Sequence, residues 1–172
     1  MATLTLCDEL ATQHFGDILA RAVTQHGPTA LLLRGSLGSG KTTLTRALVN
    51  ALPGGDAAEP SSPTFTLCHS YPTTPPILHC DLYRCPGYPP EEVLDALDNT
   101  DILTVVEWAE YLPAAFLPQD YLDIELQACD EQRLLTLHPC GVVATALQHL
   151  LLQKWFTRNT QTDFCQNPQK AY

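Results

Sequence analysis

One glycine-rich segment constrains the fold of this chain more than any other part of its sequence. It runs Gly35-Ser36-Leu37-Gly38-Ser39-Gly40-Lys41-Thr42 and satisfies the pattern G-x-x-x-x-G-K-[ST]. The apolar run within residues 29–34 predicts a strand buried on both faces, and the pattern over residues 41–52 predicts a helix. Because a strand, a tight turn and a helix follow one another here, we interpret the segment as a P-loop instead of an ordinary glycine-rich turn.

The residue types of this segment suit the binding of a phosphate chain. Glycines allow backbone N–H groups to approach phosphate oxygens closely, and the helix that follows directs its N-terminus at the phosphates. Lys41 supplies a positive charge for the β- and γ-phosphates, and the Thr42 hydroxyl is placed to ligate Mg²⁺. The sequence therefore predicts that residues 35–42 bind ATP together with Mg²⁺.

Two carboxylates are candidates for the acidic group that a P-loop needs at a strand end to complete its metal site. Asp81 ends the apolar run 77–81, and Glu107 ends the apolar run 102–107. Either could bind Mg²⁺ directly, hold a metal-bound water or orient the attacking water, and the alternative for each is a surface carboxylate just past a strand. His79, two residues before Asp81, is either catalytic or a packed and hydrogen-bonded histidine.

The remaining patterns predict an α/β fold, a three-layer P-loop NTPase sandwich with a mixed, mostly parallel central sheet. We expect residues 1–156 to form a single domain and the polar residues 157–172 to be a disordered tail. The predicted strands cover residues 3–6, 29–34, 64–71, 77–83, 102–106, 121–127 and 133–138. The predicted helices run from the N-cap Asp8 to about residue 25, over 41–52, from Pro89 onward, and over 142–156.

The charge balance limits the partners of this chain. Nine Lys and Arg residues stand against nineteen Asp and Glu, which gives a net charge of −10. Such a chain has no general positive field for nucleic acid, so any RNA would be held by a partner. No apolar run reaches the roughly 18 residues that a membrane span needs, and the first ten residues do not resemble a signal peptide. We therefore expect a cytoplasmic location and no membrane association.

The cysteines raise one alternative, a zinc site. Seven cysteines are scattered over the chain, and the candidate ligands are Cys68, His69, His79, Cys80 and Cys85. Their spacing matches no common zinc pattern, and neighbours such as His79 and Cys80 point to opposite faces of a strand. We therefore expect these thiols to act as small hydrophobic side chains.

Four segments together resemble the TsaE family (formerly YjeE), the ATPases of tRNA threonylcarbamoyladenosine biosynthesis. They are residues 35–43, which add Thr43 to the P-loop, Ser62-Pro63-Thr64-Phe65-Thr66-Leu67, His79-Cys80-Asp81-Leu82-Tyr83-Arg84 and Val106-Glu107-Trp108. Their order and spacing agree with the family over about residues 4–155. The chain departs from the family at Ser36, where Asp is usual, at Cys80, which replaces an aromatic residue, and in a shorter segment over 92–101.

The resemblance implies roles for individual residues. Thr42 and Glu107 would ligate Mg²⁺ with Asp81 acting beside them, so that Lys41, Asp81 and Glu107 form the catalytic set. The resemblance also implies that residues 62–64, with Thr64, form a switch-like loop near the γ-phosphate. Glu9 and Arg133 align with positions that lie near the adenine in such proteins.

The resemblance further implies a division of labour between proteins. ATP turnover, slow in the isolated chain, would be stimulated by TsaD and TsaB and would reset that transferase complex. Contact with tRNA would be indirect, through these partners.

Two other classes of function remain open on the sequence alone. A P-loop kinase for a small molecule or nucleoside usually needs an arginine-rich lid, and the arginines here are scattered at Arg21, Arg34, Arg46, Arg84, Arg133 and Arg158. A nucleotide-dependent scaffold without hydrolysis would not need two acids beside the P-loop. Analysis of phosphorylated products separates the kinase from the ATPase, and phosphate release separates the ATPase from the scaffold.

Overall fold

The computed structural model describes residues 1–27, 30–58, 60, 63 and 66–159. The predicted switch-like positions Ser62 and Thr64, and the predicted tail from residue 160 onward, lie outside these described residues. Within the described part, one mixed sheet contains seven strands. The strands are β1 Ala2–Leu6, β2 Ala30–Arg34, β3 Cys68–Tyr71, β4 Ile77–Asp81, β5 Leu103–Glu107, β6 Tyr121–Cys129 and β7 Gln132–Cys140.

The strand order is β1-β7-β6-β2-β5-β4-β3. The four central strands β6, β2, β5 and β4 run parallel to one another. The pairs β1–β7, β7–β6 and β4–β3 at the two sides of the sheet are antiparallel. The predicted mixed sheet with a mostly parallel centre is confirmed. Since parallel strands end at the same edge, the residues that follow β2, β4 and β5 meet at one side of the sheet, where α/β folds bind ligands.

Helices cover both faces of the sheet, which confirms the three layers. They are α1 Glu9–His26, α2 Lys41–Ala51, α3 Glu91–Leu97 and α4 Val142–Asn159. Alternation along β2 supplies both cores: Leu31 and Leu33 pack on the side of α1, α2 and α4, while Leu32 packs on the side of α3. No helix among the described residues combines the length and apolar character needed to cross a membrane.

The first helix begins where the sequence predicts and packs closely on the second. The Asp8 Oδ1 accepts a hydrogen bond of 2.7 Å from the Ala11 N–H, which satisfies one of the N–H groups that a helix start leaves unpaired. In the middle of α1, Gly16 faces α2, and a Cβ at this position would lie 2.5 Å from the Ala47 Cβ. The missing side chain therefore lets the two helices approach each other.

Three boundaries differ from the predictions for local reasons. Of the predicted strand over 64–71, the described residues are 66–71, and among these the strand begins at Cys68, because Leu67 has a φ of 67° in the left-handed region. The predicted strand over 77–83 ends at Asp81, where the Asp81 Oδ1 accepts the Tyr83 N–H at 2.9 Å and starts a turn. The last helix extends to Asn159, past its predicted end at residue 156.

Candidate functional site

The glycine-rich turn joins the end of β2 to the first residue of α2. Gly35, Gly38 and Gly40 have φ angles of 136°, 76° and 105°, a region in which other residues are strained. A Cβ on Gly35 would collide with the carbonyl group of Leu126. The first N–H groups of α2 have no acceptor within the helix. The turn therefore presents a helix N-terminus with free donors, an arrangement suited to phosphate oxygens.

Lys41, the first residue of α2, folds back over this turn. Its Nζ donates to the carbonyl oxygens of Gly35 at 2.6 Å and Ser36 at 3.0 Å, and lies 3.9 Å from the centroid of the Trp108 ring. Burial lowers the pKa of Lys41, and nearby carboxylates, Glu107 foremost, act in the opposite direction. The ammonium group is thus held in place by carbonyl oxygens and an aromatic face at the edge of the turn.

Glu107 joins β5 to β4 and α2 through its carboxylate. Its Oε2 accepts a hydrogen bond of 2.8 Å from the Thr42 hydroxyl, and its Oε1 accepts a longer one of 3.5 Å from Thr45. The His79 Nε2 lies 2.9 Å from the same Oε1. Because a carboxylate only accepts, His79 must carry its proton on Nε2 in this contact. Glu107 is 2% exposed, so its orientation is determined by these neighbours.

Asp81 ends β4 directly beside Glu107. The two residues are register partners in the parallel β4–β5 pair, and Asp81 is 3% exposed. Its Oδ1 accepts the Tyr83 N–H. Two carboxylates from adjacent strand ends therefore face the start of α2 at the same edge of the sheet.

A cavity of about 460 Å³ collects these groups. The predicted site residues that line it are Leu37, Gly38, Ser39, Gly40, Lys41, Thr42, Thr43, Asp81, Glu107, Glu9 and Arg133. Gly35 and Ser36 do not line it, and they contribute through the carbonyl oxygens that hold Lys41. The structure thus brings together residues from five places in the sequence, and Thr64 is the one predicted site residue outside the described range.

Comparison with known proteins shows the family of this chain. The sequence model of the family described as "Threonylcarbamoyl adenosine biosynthesis protein TsaE" matches residues 6–135. The chain belongs to the TsaE family. The match runs from the end of β1 into β7, so it includes the P-loop and both carboxylates.

Two curated TsaE relatives are identical to this chain at about a third of the aligned residues. The tRNA threonylcarbamoyladenosine biosynthesis protein TsaE of Nostoc sp. is 33% identical over 141 residues, covering 76% of this chain and 81% of the relative. That of Haemophilus influenzae is 32% identical over 136 residues, covering 76% and 84%. Among solved structures, the crystal structure of Bacillus subtilis YdiB superimposes with a TM-score of 0.69 at 26% identity, covering 89% of this chain and 95% of that one. This likeness confirms the P-loop ATPase fold.

The cavity of this TsaE chain is acidic. Among the described residues, five carboxylates line it, those of Asp8, Glu9, Asp81, Glu107 and Glu131, against the two basic groups of Lys41 and Arg133. A polyphosphate is itself strongly negative, so it would meet net repulsion here unless a cation accompanied it.

The donor set fits Mg²⁺. This ion prefers oxygen ligands and usually combines one or two carboxylates with phosphates and water. The Thr42 hydroxyl and the Glu107 carboxylate already touch, and Asp81 is the register partner of Glu107. No group of three or more His, Cys, Asp or Glu side chains in the described part of the chain is arranged to hold a metal ion. Water molecules and nucleotide oxygens are the ligands that would complete the shell of a bound Mg²⁺.

Three residues of the TsaE site received no definite role from the sequence. His79 binds Glu107, and its position two residues before Asp81 was a signal, since both lie on one face of β4. Thr45 lies one helical turn after Thr42 and also reaches Glu107. Trp108, which the sequence identifies only as part of a motif, lines the cavity, lies over Lys41 and adopts the left-handed region with φ 58°. Only the strand order shows that all three converge on one carboxylate and one lysine.

Proposed function

We propose that this TsaE-family chain is a Mg²⁺-dependent ATPase required for threonylcarbamoyladenosine modification of tRNA, and that its ATP turnover resets a TsaD–TsaB transferase complex. The observation that carries the proposal is the contact of 2.8 Å between the Thr42 hydroxyl and the Glu107 carboxylate at the N-terminus of α2. A hydroxyl and a carboxylate paired beside a P-loop lysine form the protein half of a Mg²⁺-nucleotide site.

In this proposal, different residues of the cavity bind different parts of the nucleotide. The N–H groups at the start of α2 donate hydrogen bonds to the phosphate oxygens, and Lys41 exchanges its carbonyl partners for the β- and γ-phosphates. Glu9 and Arg133 line the same cavity and lie near the adenine. Thr64 lies outside the described residues, and in this proposal it would contact the γ-phosphate and lose that contact after hydrolysis.

Glu107 and Asp81 have different roles in metal binding and hydrolysis. When bound, Mg²⁺ neutralises charge on the phosphates. Glu107, already in contact with Thr42, holds the ion. Asp81, next to Glu107 in the register, orients the water that attacks the γ-phosphorus. His79 keeps the Glu107 carboxylate directed at Thr42 through its Nε2–H.

The isolated chain is expected to hydrolyse ATP slowly. Arg133 is the only arginine that lines the cavity among the described residues, and its guanidinium lies near the Gly38 carbonyl. Arg34 is paired with Asp123 at 2.6 Å, and Arg46 donates to the Pro60 carbonyl. An arginine supplied by a partner raises turnover in related P-loop proteins by about 10³–10⁵, so a partner is the proposed source of stimulation.

The proposed partners follow from the family and from the charge. The relatives are named for tRNA threonylcarbamoyladenosine biosynthesis, whereas a chain of net charge −10 is poorly suited to hold tRNA. TsaD and TsaB would therefore hold the tRNA and perform the transfer in the cytoplasm. ATP turnover by this chain would permit repeated cycles instead of driving any single transfer.

The test reconstitutes tRNA modification with TsaD and TsaB from the same cell, with and without this chain. We expect modified tRNA to stop accumulating after few turnovers without it, and to continue with it when ATP is present. Lys41→Ala should lose nucleotide binding in calorimetry, and Glu107→Gln should bind nucleotide but lose Mg²⁺-dependent turnover. Equal product over many turnovers in the absence of this chain, together with no stimulation of its phosphate release by the partners, would contradict the proposal.

A further inference from the structure

Two free thiols face each other across the edge of the sheet. Cys68 on β3 and Cys80 on β4 are register partners in an antiparallel pair, and both are free cysteines. Their Sγ atoms lie 2.9 Å apart in a thiol–thiol hydrogen bond. A pair this close is unlike the isolated buried thiols that the sequence predicts, and the proposed ATPase does not use it.

The backbone already has the spacing of a disulfide. The Asp81 N–H donates to the Leu67 carbonyl at 2.9 Å, so Leu67 and Asp81 form a hydrogen-bonded rung. The next rung, Cys68–Cys80, is therefore a non-hydrogen-bonded pair. Rungs of that kind have Cα atoms about 4.5 Å apart with side chains close together. Disulfides join Cα atoms about 4.4–6.8 Å apart and have an S–S bond of about 2 Å. The two sulfurs therefore need to approach by only about 0.9 Å to bond.

The two thiols differ in access to solvent. Cys68 is partly exposed, and its hydrogen bond with Cys80 lowers the pKa of Cys68 below that of an ordinary cysteine, although burial acts in the opposite direction. Cys80 is fully buried. An oxidant from solvent would therefore meet the more reactive sulfur first, with a second thiol in contact behind it.

We propose that Cys68 and Cys80 form a reversible oxidation site that closes to a disulfide with a hydroperoxide as oxidant. The Cys68 thiolate attacks one oxygen of hydrogen peroxide, the O–O bond breaks, and a sulfenic acid forms while the released hydroxide takes up a proton as water. The Cys80 sulfur then attacks the sulfenic sulfur, the S–O bond breaks, and the second oxygen leaves as water. The two thiols lose two electrons and two protons, and the peroxide becomes two waters.

The position of the pair links it to the nucleotide site. Cys80 directly precedes Asp81 on β4, and β3, at the edge of the sheet, pairs with β4 alone among the described strands. Closing the disulfide moves the two sulfur atoms about 0.9 Å closer and cross-links β3 to β4 at the rung next to Asp81. Since a misplacement of about 1 Å can cost on the order of 100-fold in rate, we expect ATP turnover to fall roughly tenfold in the oxidised protein. This consequence rests on the proposed function, whereas formation of the disulfide does not.

The experiment treats the full chain with hydrogen peroxide, blocks the remaining thiols and maps disulfides by mass spectrometry. Cys7 is already disulfide-bonded, so mapping of individual peptides is needed. We expect a Cys68–Cys80 linkage in the wild type that dithiothreitol reverses, no such linkage in Cys68→Ser or Cys80→Ala, and an unchanged linkage in the control Cys85→Ser. No Cys68–Cys80 linkage in folded wild type, or a linkage of Cys68 to Cys85 instead, would overturn the site.

Turnover is measured on the same samples. We expect the loss in the oxidised wild type to be reversed by dithiothreitol and to be absent in Cys68→Ser. If the mapped disulfide forms and turnover is unchanged, the link to Asp81 is overturned. If the reduced protein has no ATPase activity even with its partners, the proposed function fails, and mapping still decides the oxidation site.

Discussion

Glu107 is the residue on which the candidate site depends. Its carboxylate accepts hydrogen bonds from α2 through Thr42 and from β4 through His79. Glu107 was identified from its place at the end of an apolar run, but the contact with His79 crosses two strands that are far apart in sequence. We therefore treat His79 as a positioning residue that acts through Glu107.

The first prediction concerns His79. His79→Phe keeps the ring volume but removes the donor to Glu107, so it should lower Mg²⁺ affinity or turnover by about 10–100-fold, as loss of a partner behind a metal ligand typically does. His79→Gln places an N–H donor near the position of Nε2 and should restore most of the loss. The measurement is the Mg²⁺ concentration at half-maximal turnover, with circular dichroism to confirm folding.

A purely structural role for His79 would show a different pattern. Both variants would then lose stability, and the Mg²⁺ dependence of the folded fraction would match that of the wild type. Such an unchanged Mg²⁺ dependence in His79→Phe would contradict the positioning role.

At the scale of elements, the packing of α1 on α2 supports the P-loop from behind. Gly16 leaves room for α2, whose first residue is Lys41. The amphipathic pattern of each helix is visible in the sequence, but the close approach at Gly16 is not, because it depends on which helix becomes its neighbour.

The second prediction is that Gly16→Ala destabilises the fold. The new Cβ would lie 2.5 Å from the Ala47 Cβ and 3.0 Å from the backbone carbon of the same residue, which cannot rotate away. Overpacking typically costs about 1–3 kcal/mol, and the better helix propensity of alanine returns up to about 1 kcal/mol. We expect the free energy of unfolding in urea to fall by roughly 1 kcal/mol.

Leu10→Ala is the matched control for this change, because Leu10 lies on the same helix and is 71% exposed. It should change the free energy of unfolding by no more than about 0.5 kcal/mol. If Gly16→Ala were as stable as the wild type or more stable, α1 and α2 could move apart without loss of stability. That result would contradict the predicted effect of their close packing.

At the scale of the whole molecule, charge determines how an anionic ligand can bind. The net charge of −10 surrounds a cavity lined by five carboxylates and two basic groups among the described residues. The attraction for phosphate must be local, from N–H groups, Lys41 and a metal ion, since the long-range field opposes it.

The third prediction follows from this field. ATP without a divalent ion should bind more tightly as salt rises from low ionic strength to about 0.1 M, where screening acts within about 10 Å. Mg²⁺-ATP should bind at least about tenfold more tightly than free ATP, a difference of about 1.4 kcal/mol. Calorimetry with and without a chelator at several salt concentrations measures both effects.

A basic nucleotide site would respond in the opposite direction. If the affinity for free ATP fell steadily as salt was added, the local positive groups would outweigh the acidic field. The need for Mg²⁺ would then have to come from ion coordination alone.

Much of this protein could be predicted from its sequence because the relevant physics is local. The left-handed glycines of the P-loop, the Asp8 cap and the alternation along β6 depend on a few neighbouring residues. For the same reason the predicted strands and helices agree with the structure to within a few residues over the described part of the chain, and the strand β3 begins after Leu67, whose φ lies in the left-handed region.

Only the tertiary structure decided how these pieces meet. The order that places β5 between β2 and β4 makes Asp81 and Glu107 neighbours and brings Glu107 to Thr42. The β4–β5 pair places His79 in contact with Glu107, and the β3–β4 pair places Cys68 opposite Cys80. Strand pairing is a property of the whole sheet, settled by the burial of both its faces at once, so no short stretch of sequence contains it.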